Sequence, residues 1–287
     1  MGANPKNRPD RHTGASFALL TKHGKERAIA PRFRSALGAE VVLVDSFDTD
    51  TLGTFTRDVP RAGSQWDAAR RKAELAIELS GLPRGLGSEG SFSAGPFGFV
   101  ATNLELLVLK DAELGIEVAG VAVAGGHQAS GIFSDWERFA EFARKMLFPS
   151  HGLVLRPGDG DDPRIYKDAG DFEKLRAVFS ECTALSPEGL VFAESDLRAH
   201  RNPTRMETIG QACGDLLRRL QCDCPACGKP GFGLAKKLSG LPCSWCGSPT
   251  NDILGEEHKC PACGFTETRD TAEGKKADPK FCPACNP

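Results

Sequence analysis

The chain has 287 residues, of which 40% are hydrophobic and 26% are charged, so it is long enough for two domains with ordinary cores. Its formal net charge of −2 excludes a general electrostatic attraction to nucleic acid or to acidic membrane surfaces. No apolar run approaches the roughly twenty residues that cross a bilayer, so we expect no membrane-spanning segment.

Residues 1–15 are polar and contain several Gly, Pro and Arg residues, without the apolar core of a secretion signal. We therefore predict a short disordered leader and a cytoplasmic location. The Met1-Gly2 start is typical of N-myristoylation, but Lys6 occupies the position where that signal has Ser or Thr.

Residues 16–220 alternate strand-like and helix-like patterns, which predicts an α/β domain with a mixed sheet. A short apolar run at 16–21 predicts the first strand, and 40–45 predicts a β-branched second strand. Between them a helix is expected at about 26–37, closed by a glycine, with Pro31 either kinking it or marking its start.

The next predicted helix opens at Ser64-Gln-Trp-Asp67, which is a capping box with Asp in place of Glu. Residues 85–92 predict a strand that ends in small residues around one acid, Glu89. Two further strands at 104–109 and 116–123 are joined by a short polar turn and predict a hairpin.

Three helices are expected in the rest of this domain. One is capped within 134–137 and one covers 171–182, with a Gly- and Asp-rich loop at 157–162 between them. Asn202 and Pro203 suit the N-cap and first positions of the last helix, which leads into the C-terminal tail.

Basic side chains gather before this last helix. Helix N–H groups, the helix dipole and three guanidinium groups in one place would suit a phosphate, and the side chains concerned are Arg198, His200, Arg201 and Arg205. The alternative is that the arginines form surface ion pairs with Glu194, Asp196 or Glu207.

Cysteines dominate the tail, residues 221–287. The chain has 11 cysteines, and only Cys182 and Cys213 lie outside the tail. Paired thiols in a reducing compartment indicate metal binding rather than disulfides. Four Cys-x-x-Cys knuckles follow one another, and their ligand pairs are Cys224 and Cys227, Cys243 and Cys246, Cys260 and Cys263, and Cys282 and Cys285.

Two knuckles make one tetrahedral four-thiolate site, so the tail is predicted to be a zinc-ribbon module with two structural zinc ions. Read in chain order, the first two knuckles share one zinc and the last two share the other. A cross-braced arrangement, first with third and second with fourth, is the alternative. Cys222 is left outside both sites. Basic and acidic residues are equally numerous in the tail, so nucleic-acid binding is not expected.

Two resemblances extend these predictions. Over most of its length the chain resembles a bacterial family of unknown function that couples an α/β domain to a cysteine-rich zinc tail. More remotely, residues 16–220 resemble the inosine/xanthosine triphosphate pyrophosphatases. The matching segments, in order, are the turn Thr21-Lys22-His23-Gly24-Lys25, the helix start at 63–73, Gly87-Ser-Glu89-Gly90 and Ala199-His200-Arg201. His23 replaces the family's Asn, and Lys25 stands one residue early.

The second resemblance implies magnesium-assisted hydrolysis of an aberrant nucleoside triphosphate to the monophosphate and pyrophosphate. Glu89 would hold the metal, with Asp67 or Asp45 completing the shell or activating water. The resemblance places phosphates on the first turn and on the last helix, through Thr21, Lys22, His23, Lys25, Arg198, Arg201 and Arg205, with His200 contacting the base.

Two non-enzymatic alternatives stay open. A nucleotide- or phosphate-sensing domain would keep the basic cluster and turn nothing over. A nucleic-acid-associated protein would join the arginine cluster and the ribbon into one surface, with an affinity that falls steeply with salt. The sequence gives no oligomeric state.

Overall fold

The computed structural model describes residues 11–47, 63–94, 101–126 and 128–286. Its main feature is a five-stranded mixed sheet in the order β2-β1-β3-β4-β5. β1 pairs in parallel with β2 on one side and with β3 on the other, whereas β3, β4 and β5 form an antiparallel meander. The strands are β1 (Ser16–Leu20), β2 (Glu40–Val44), β3 (Arg84–Ala94), β4 (Ala101–Asp111) and β5 (Ile116–Gly125).

Helices cover both faces of this sheet because each strand buries alternate side chains on opposite sides. Phe17 and Leu19 of β1 belong to a core shared with α1 (Glu26–Leu37) and α5 (Pro203–Leu220). Their neighbours on the other face pack against α2 (Gln65–Ser80). The sheet is therefore the middle layer of an α/β sandwich.

Glycines in β3 bring α2 unusually close to the sheet. A Cβ atom at Gly87 would lie 1.9 Å from the Ala69 carbonyl oxygen, and one at Gly85 would lie 2.0 Å from the Ala73 oxygen. These oxygens belong to the helix backbone, which cannot move aside like a flexible side chain. The small residues of β3 thus set the distance between helix and sheet.

A second, three-stranded antiparallel sheet has the order β6-β8-β7. Its strands were not predicted from the sequence. Its core is aromatic, with the rings of Phe139 and Phe179 stacked at 4.9 Å. The elements are β6 (Ser130–Phe133), α3 (Trp136–Lys145), β7 (Leu153–Pro157), α4 (Phe172–Leu185) and β8 (Val191–Ser195).

The tail contains a third antiparallel sheet in the order β11-β10-β9. The tail contacts the β4–β5 turn of the main sheet, where Lys229 Nζ donates to the Leu114 carbonyl at 2.7 Å. A Cβ atom at Gly231 would come within 2.7 Å of Val118, which shows how closely the tail packs on β5. The strands are β9 (Gly233–Ser239), β10 (Ile253–Lys259) and β11 (Thr266–Asp270).

Most predicted elements are present near their expected bounds. The structure has the predicted Ser64–Asp67 capping box and the Asn202 N-cap with Pro203 at the start of α5. The helix α1 begins at Glu26, so Pro31 lies inside it. The predicted capping box Ser134-Asp-Trp-Glu137 is off by one residue, because the N-cap of α3 is Asp135, whose carboxylate accepts from the backbone of the first turn.

The predicted disordered leader is too long at its C-terminal end. Residues 1–10 lie outside the described part of the chain, but His12 is fully buried, with Nε2 2.9 Å from Asp111 Oδ2. An ordered segment therefore begins at least four residues before the predicted Ser16. Within the described ranges, no helix has the length and apolar character needed to cross a bilayer.

Candidate functional site

The carboxyl end of β1 opens a crevice in the main sheet. From β1 the chain continues through α1 on one face to reach β2, and it then returns through α2 on the other face to reach β3. This divergence of helices at the end of a parallel strand is a topological switch point, where α/β proteins bind ligands. β1 ends beside Gly87, so Ser88 and Glu89 line the opening opposite the turn at 21–25.

Lys25 is the central cation of this crevice. Its side chain is buried, and Nζ donates to the Ser88 carbonyl at 2.9 Å and to Ser88 Oγ at 3.2 Å. Desolvation and the Arg205 charge lower the Lys25 pKa to about 7, against opposing attraction from Glu105 and Glu89. The amine therefore changes charge near neutral pH.

Glu89 forms an ion pair with Lys72 of α2, and both side chains are almost completely buried. The carboxylate thus has a cation as its neighbour on the α2 face of the sheet. Lys72 was missed in the sequence, although a signal existed. It lies three residues after Ala69 and four before Ala76, two buried positions on the face that packs against the sheet.

The opposite face of the same strands carries a second buried ion pair. Arg205 Nε in the first turn of α5 donates to Glu105 Oε1 on β4 at 2.7 Å, and both side chains are 1% exposed. Gly90 permits this approach, since a Cβ atom there would lie 2.3 Å from Glu105 Oε1. Glu105 was also missed, although it is the one acid in the apolar run Leu104–Leu109.

The predicted arginines do not converge on one point. Arg198 pairs with Asp196 at 2.6 Å and with Asp168 at 2.8 Å, and Arg201 Nε lies 3.3 Å from Asp168. Arg198 pairs with Asp196, as the ion-pair alternative expected, but that carboxylate is buried rather than on the surface. The main partner of Arg205 is a strand residue 100 positions away. A shared phosphate site for the three guanidinium groups remains a prediction that this geometry does not support.

The turn after β1 meets the segment before α5. The rings of His23 and His200 stack with centroids 5.3 Å apart, which places a flat polar surface beside the crevice. Burial and the nearby Arg198 charge lower the pKa of His200. Thr21 is buried and its Oγ1 accepts from the His23 backbone at 3.5 Å, whereas Lys22 is exposed.

The other two predicted carboxylates belong to the first turn of α2 and to the segment after β2. Asp67 closes the α2 capping box, where its carboxylate accepts from Ser64 N at 3.0 Å and from Ser64 Oγ at 2.6 Å. These bonds lower the pKa of Asp67. Asp45 is exposed after β2. Their assistance in catalysis remains a prediction, and the structure gives Asp67 a structural task instead.

The eight knuckle cysteines form two clusters, and the pairing is cross-braced. Cys224, Cys227, Cys260 and Cys263 make one cluster, and Cys243, Cys246, Cys282 and Cys285 make the other. The sequential reading is therefore wrong. The reason is the antiparallel sheet, in which β9 and β10 pair along their length and bring the knuckle before β9 to the knuckle after β10.

The sulfur spacing fits a tetrahedral metal. Zinc–thiolate bonds of about 2.3 Å imply a sulfur–sulfur distance near 3.8 Å, and the observed contacts are 3.6 Å to 3.9 Å. Both clusters are thus consistent with a structural metal ion such as zinc. Cys222 is exposed and belongs to neither.

The length of α5 separates the crevice from the first cysteine knuckle. The N-terminal turn of α5 supplies Arg205 to the crevice, and its C-terminal end leads into the first knuckle. Eighteen helical residues span roughly 27 Å at 1.5 Å per residue. The cysteine clusters therefore lie away from the crevice, and their four thiolates leave no open coordination position.

A family model described as Domain of unknown function (DUF6671) matches residues 72–287, which is more than half of the chain. The match begins at Lys72 and includes Glu89, Glu105, Arg205 and all eight clustered cysteines, but not Lys25. Comparisons with curated proteins and with solved structures found no significant match.

Proposed function

We propose that this chain, which is a member of the family described as Domain of unknown function (DUF6671), binds a nucleoside triphosphate or a related phosphate ligand. The binding site is the crevice at the end of β1. The proposed reaction is magnesium-dependent hydrolysis to the monophosphate and pyrophosphate. The remote resemblance to inosine/xanthosine triphosphate pyrophosphatases supports this reaction class, through the segments around Lys25, Glu89 and His200.

One observation carries the proposal: two buried lysines and a buried carboxylate meet at the switch point of the sheet. Lys25 and Lys72 approach from opposite faces, and Glu89 lies between them on β3. Buried charges are costly unless a partner compensates them, so such groups collect where function requires them. When Arg205 and Glu105 are included, the crevice contains three basic and two acidic side chains. This excess of basic side chains suits an anionic ligand.

The chemistry of each residue follows from its surroundings. The ammonium form of Lys25 would contact phosphate oxygens, and a bound phosphate would favour that charged form by Coulomb attraction. Lys72 would share its charge between Glu89 and the ligand. Magnesium prefers carboxylate and phosphate oxygens, and when bound it would neutralise charge on the phosphate chain, with Glu89 as the protein ligand.

A sensor that binds without turnover is the second candidate, and the Lys72–Glu89 ion pair favours it. A carboxylate already neutralised by lysine attracts magnesium less strongly than a free one. Asp67 is committed to its helix cap. In this case the crevice keeps its affinity for phosphates and lacks the second carboxylate that hydrolysis would use.

The test is pyrophosphate release from a panel of nucleoside triphosphates by zinc-replete protein with magnesium. Glu89→Gln and Lys72→Met should each abolish turnover. Matched controls are Glu74→Gln and Lys110→Met, which break the partly exposed Lys110–Glu74 pair on the same face and should keep turnover. If folded protein binds nucleotide without releasing pyrophosphate, the sensor replaces the enzyme. If it binds no phosphate compound, both candidates fail.

We further propose that the metal in both cysteine clusters is zinc and that it holds the tail together. The tail has few large buried side chains, and the small cores around Phe232 and Leu241 cannot replace a metal. Elemental analysis should find two zinc ions per chain, and a chelator should remove the tail's structure. Retention of the tail's structure after complete zinc removal would contradict this role.

A further inference from the structure

Two buried oxygen atoms beside the crevice receive no hydrogen bond from the described part of the chain. Glu105 Oε2 and Asn103 Oδ1 lack a hydrogen-bond partner among the described residues, and the two residues are 0% and 2% exposed. A buried acceptor without a donor is costly, so most such atoms in native proteins are paired. Both oxygens are therefore suited to a donor from outside the described residues.

The two side chains are on the same face of β4, two residues apart. Asn103 lies opposite Phe92 and Glu105 lies opposite Gly90 in the sheet register. Arg205 donates to Oε1 of Glu105, which fixes the carboxylate and leaves Oε2 as the remaining acceptor. The pair of acceptors is thus held in place before any ligand binds.

The positive charges near Glu105 and Asn103 restrict which ligands these two acceptors would bind. Carboxylate and amide oxygens can hold a divalent cation, but the Arg205 guanidinium contacts this carboxylate directly. Lys25 is near enough for Arg205 and Glu105 to shift its pKa. A divalent cation would meet repulsion from both bases, whereas a neutral group with N–H donors would not.

The surroundings of the acceptors are flat. The Arg205 guanidinium lies over the Phe92 ring, 5.8 Å from its centroid, and the stacked His23 and His200 rings flank Gly24 next to Lys25. Flat cationic and aromatic groups are typical contacts of a planar heterocycle. A planar ligand with N–H donors at its edge matches both the shape and the acceptors.

We infer that Asn103 and Glu105 determine specificity, and that they accept hydrogen bonds from the donor-bearing edge of a nucleotide base whose phosphates lie at Lys25. This inference rests on the proposed function, because it takes the ligand to be a nucleotide. It adds a second end to the site, on the α5 face of the sheet, and makes Arg205 a positioning residue for Glu105.

Binding measurements on the full-length, zinc-replete protein without added magnesium test the inference. The probes are inorganic tripolyphosphate, GTP, ITP, ATP and purine riboside triphosphate, whose ring carries no N–H donor. The best donor-bearing nucleotide should bind roughly tenfold or more tightly than purine riboside triphosphate. Asn103→Leu should remove this preference and keep the affinity for tripolyphosphate, and Glu105→Gln should also reduce the preference.

Thr102→Ala is the matched control. Thr102 is next to Asn103 in the chain, but its side chain lies on the other face of β4, so the substitution should leave the preference unchanged. Asn103→Leu keeps the test decisive if Glu105→Gln fails to fold. Equal binding of all nucleotides, or a preference that survives Asn103→Leu, would overturn this inference and leave the phosphate site in place. Failure to bind tripolyphosphate and every nucleotide would overturn the proposed function itself.

Discussion

Lys25 shows how a single buried residue can couple the stability of the protein to pH. Its folded pKa of about 7 is below the ordinary lysine value of 10.5, because burial penalises the charged amine. Between these two values the unfolded chain holds a proton that the native chain has released. Stability attributable to Lys25 therefore rises with pH through this window and is lost as the pH falls towards 7.

We predict that the stability difference between the wild type and Lys25→Met grows in favour of the wild type from pH 7 to pH 10. The limiting slope is about 1.4 kcal/mol for each pH unit. Urea unfolding at several pH values measures it. Lys110→Met, at a partly exposed site, should show no comparable slope, and a flat difference for Lys25→Met would show that the amine remains charged in the native state.

The Glu105–Arg205 pair makes a second prediction for single residues. Arg205→Leu leaves a carboxylate buried without its cation and should lower the free energy of unfolding by about 3–5 kcal/mol. Replacing both residues with leucine should cost less than Arg205→Leu alone, because no uncompensated charge remains. Denaturant titrations of the two single variants and the double variant measure this coupling, and additive losses would contradict it.

At the scale of elements, the contact between α2 and β3 depends on the glycines of the strand. Gly87→Ala should push α2 off the sheet, because the new methyl group would meet the Ala69 carbonyl at 1.9 Å. Overpacking of this kind costs about 1–3 kcal/mol. The same shift would separate Lys72 from Glu89 and weaken phosphate binding.

Gly125→Ala is the control for this prediction. It lies in β5, and a Cβ atom there meets no atom of the described residues within 4 Å. Thermal unfolding and tripolyphosphate binding should both change in Gly87→Ala and should both stay near wild type in Gly125→Ala. Equal effects of the two substitutions would show that strand propensity, rather than the helix contact, limits the replacement of glycine.

For the whole molecule, cross-bracing ties the two ends of the tail to its middle. Serine substitution of Cys243, Cys246, Cys282 and Cys285 removes one complete cluster, so one zinc per chain should remain. Substitution of Cys224, Cys227, Cys243 and Cys246 takes half of each cluster, so neither complete site should remain. A sequential pairing gives the opposite result, and zinc content by mass spectrometry distinguishes the two.

Features that depend on neighbouring residues could be predicted from the sequence. The capping box at Ser64–Asp67, the Asn202 cap with Pro203 and the four cysteine knuckles are each specified within a few positions, because one turn of backbone forms them. The α/β class also followed from local periodicity. The strands of the second sheet did not, because β6, β7 and β8 are short and β6 pairs with β8 rather than with the next strand, β7.

Contacts between residues far apart in the chain could not be predicted in this way. Lys72 reaches Glu89 because α2 packs on the small residues of β3, and Arg205 reaches Glu105 across 100 positions because α5 crosses the other face. The cysteine pairing likewise depends on the register of β9 with β10. Strand register and helix placement come from packing of the whole chain, so local patterns cannot specify these contacts.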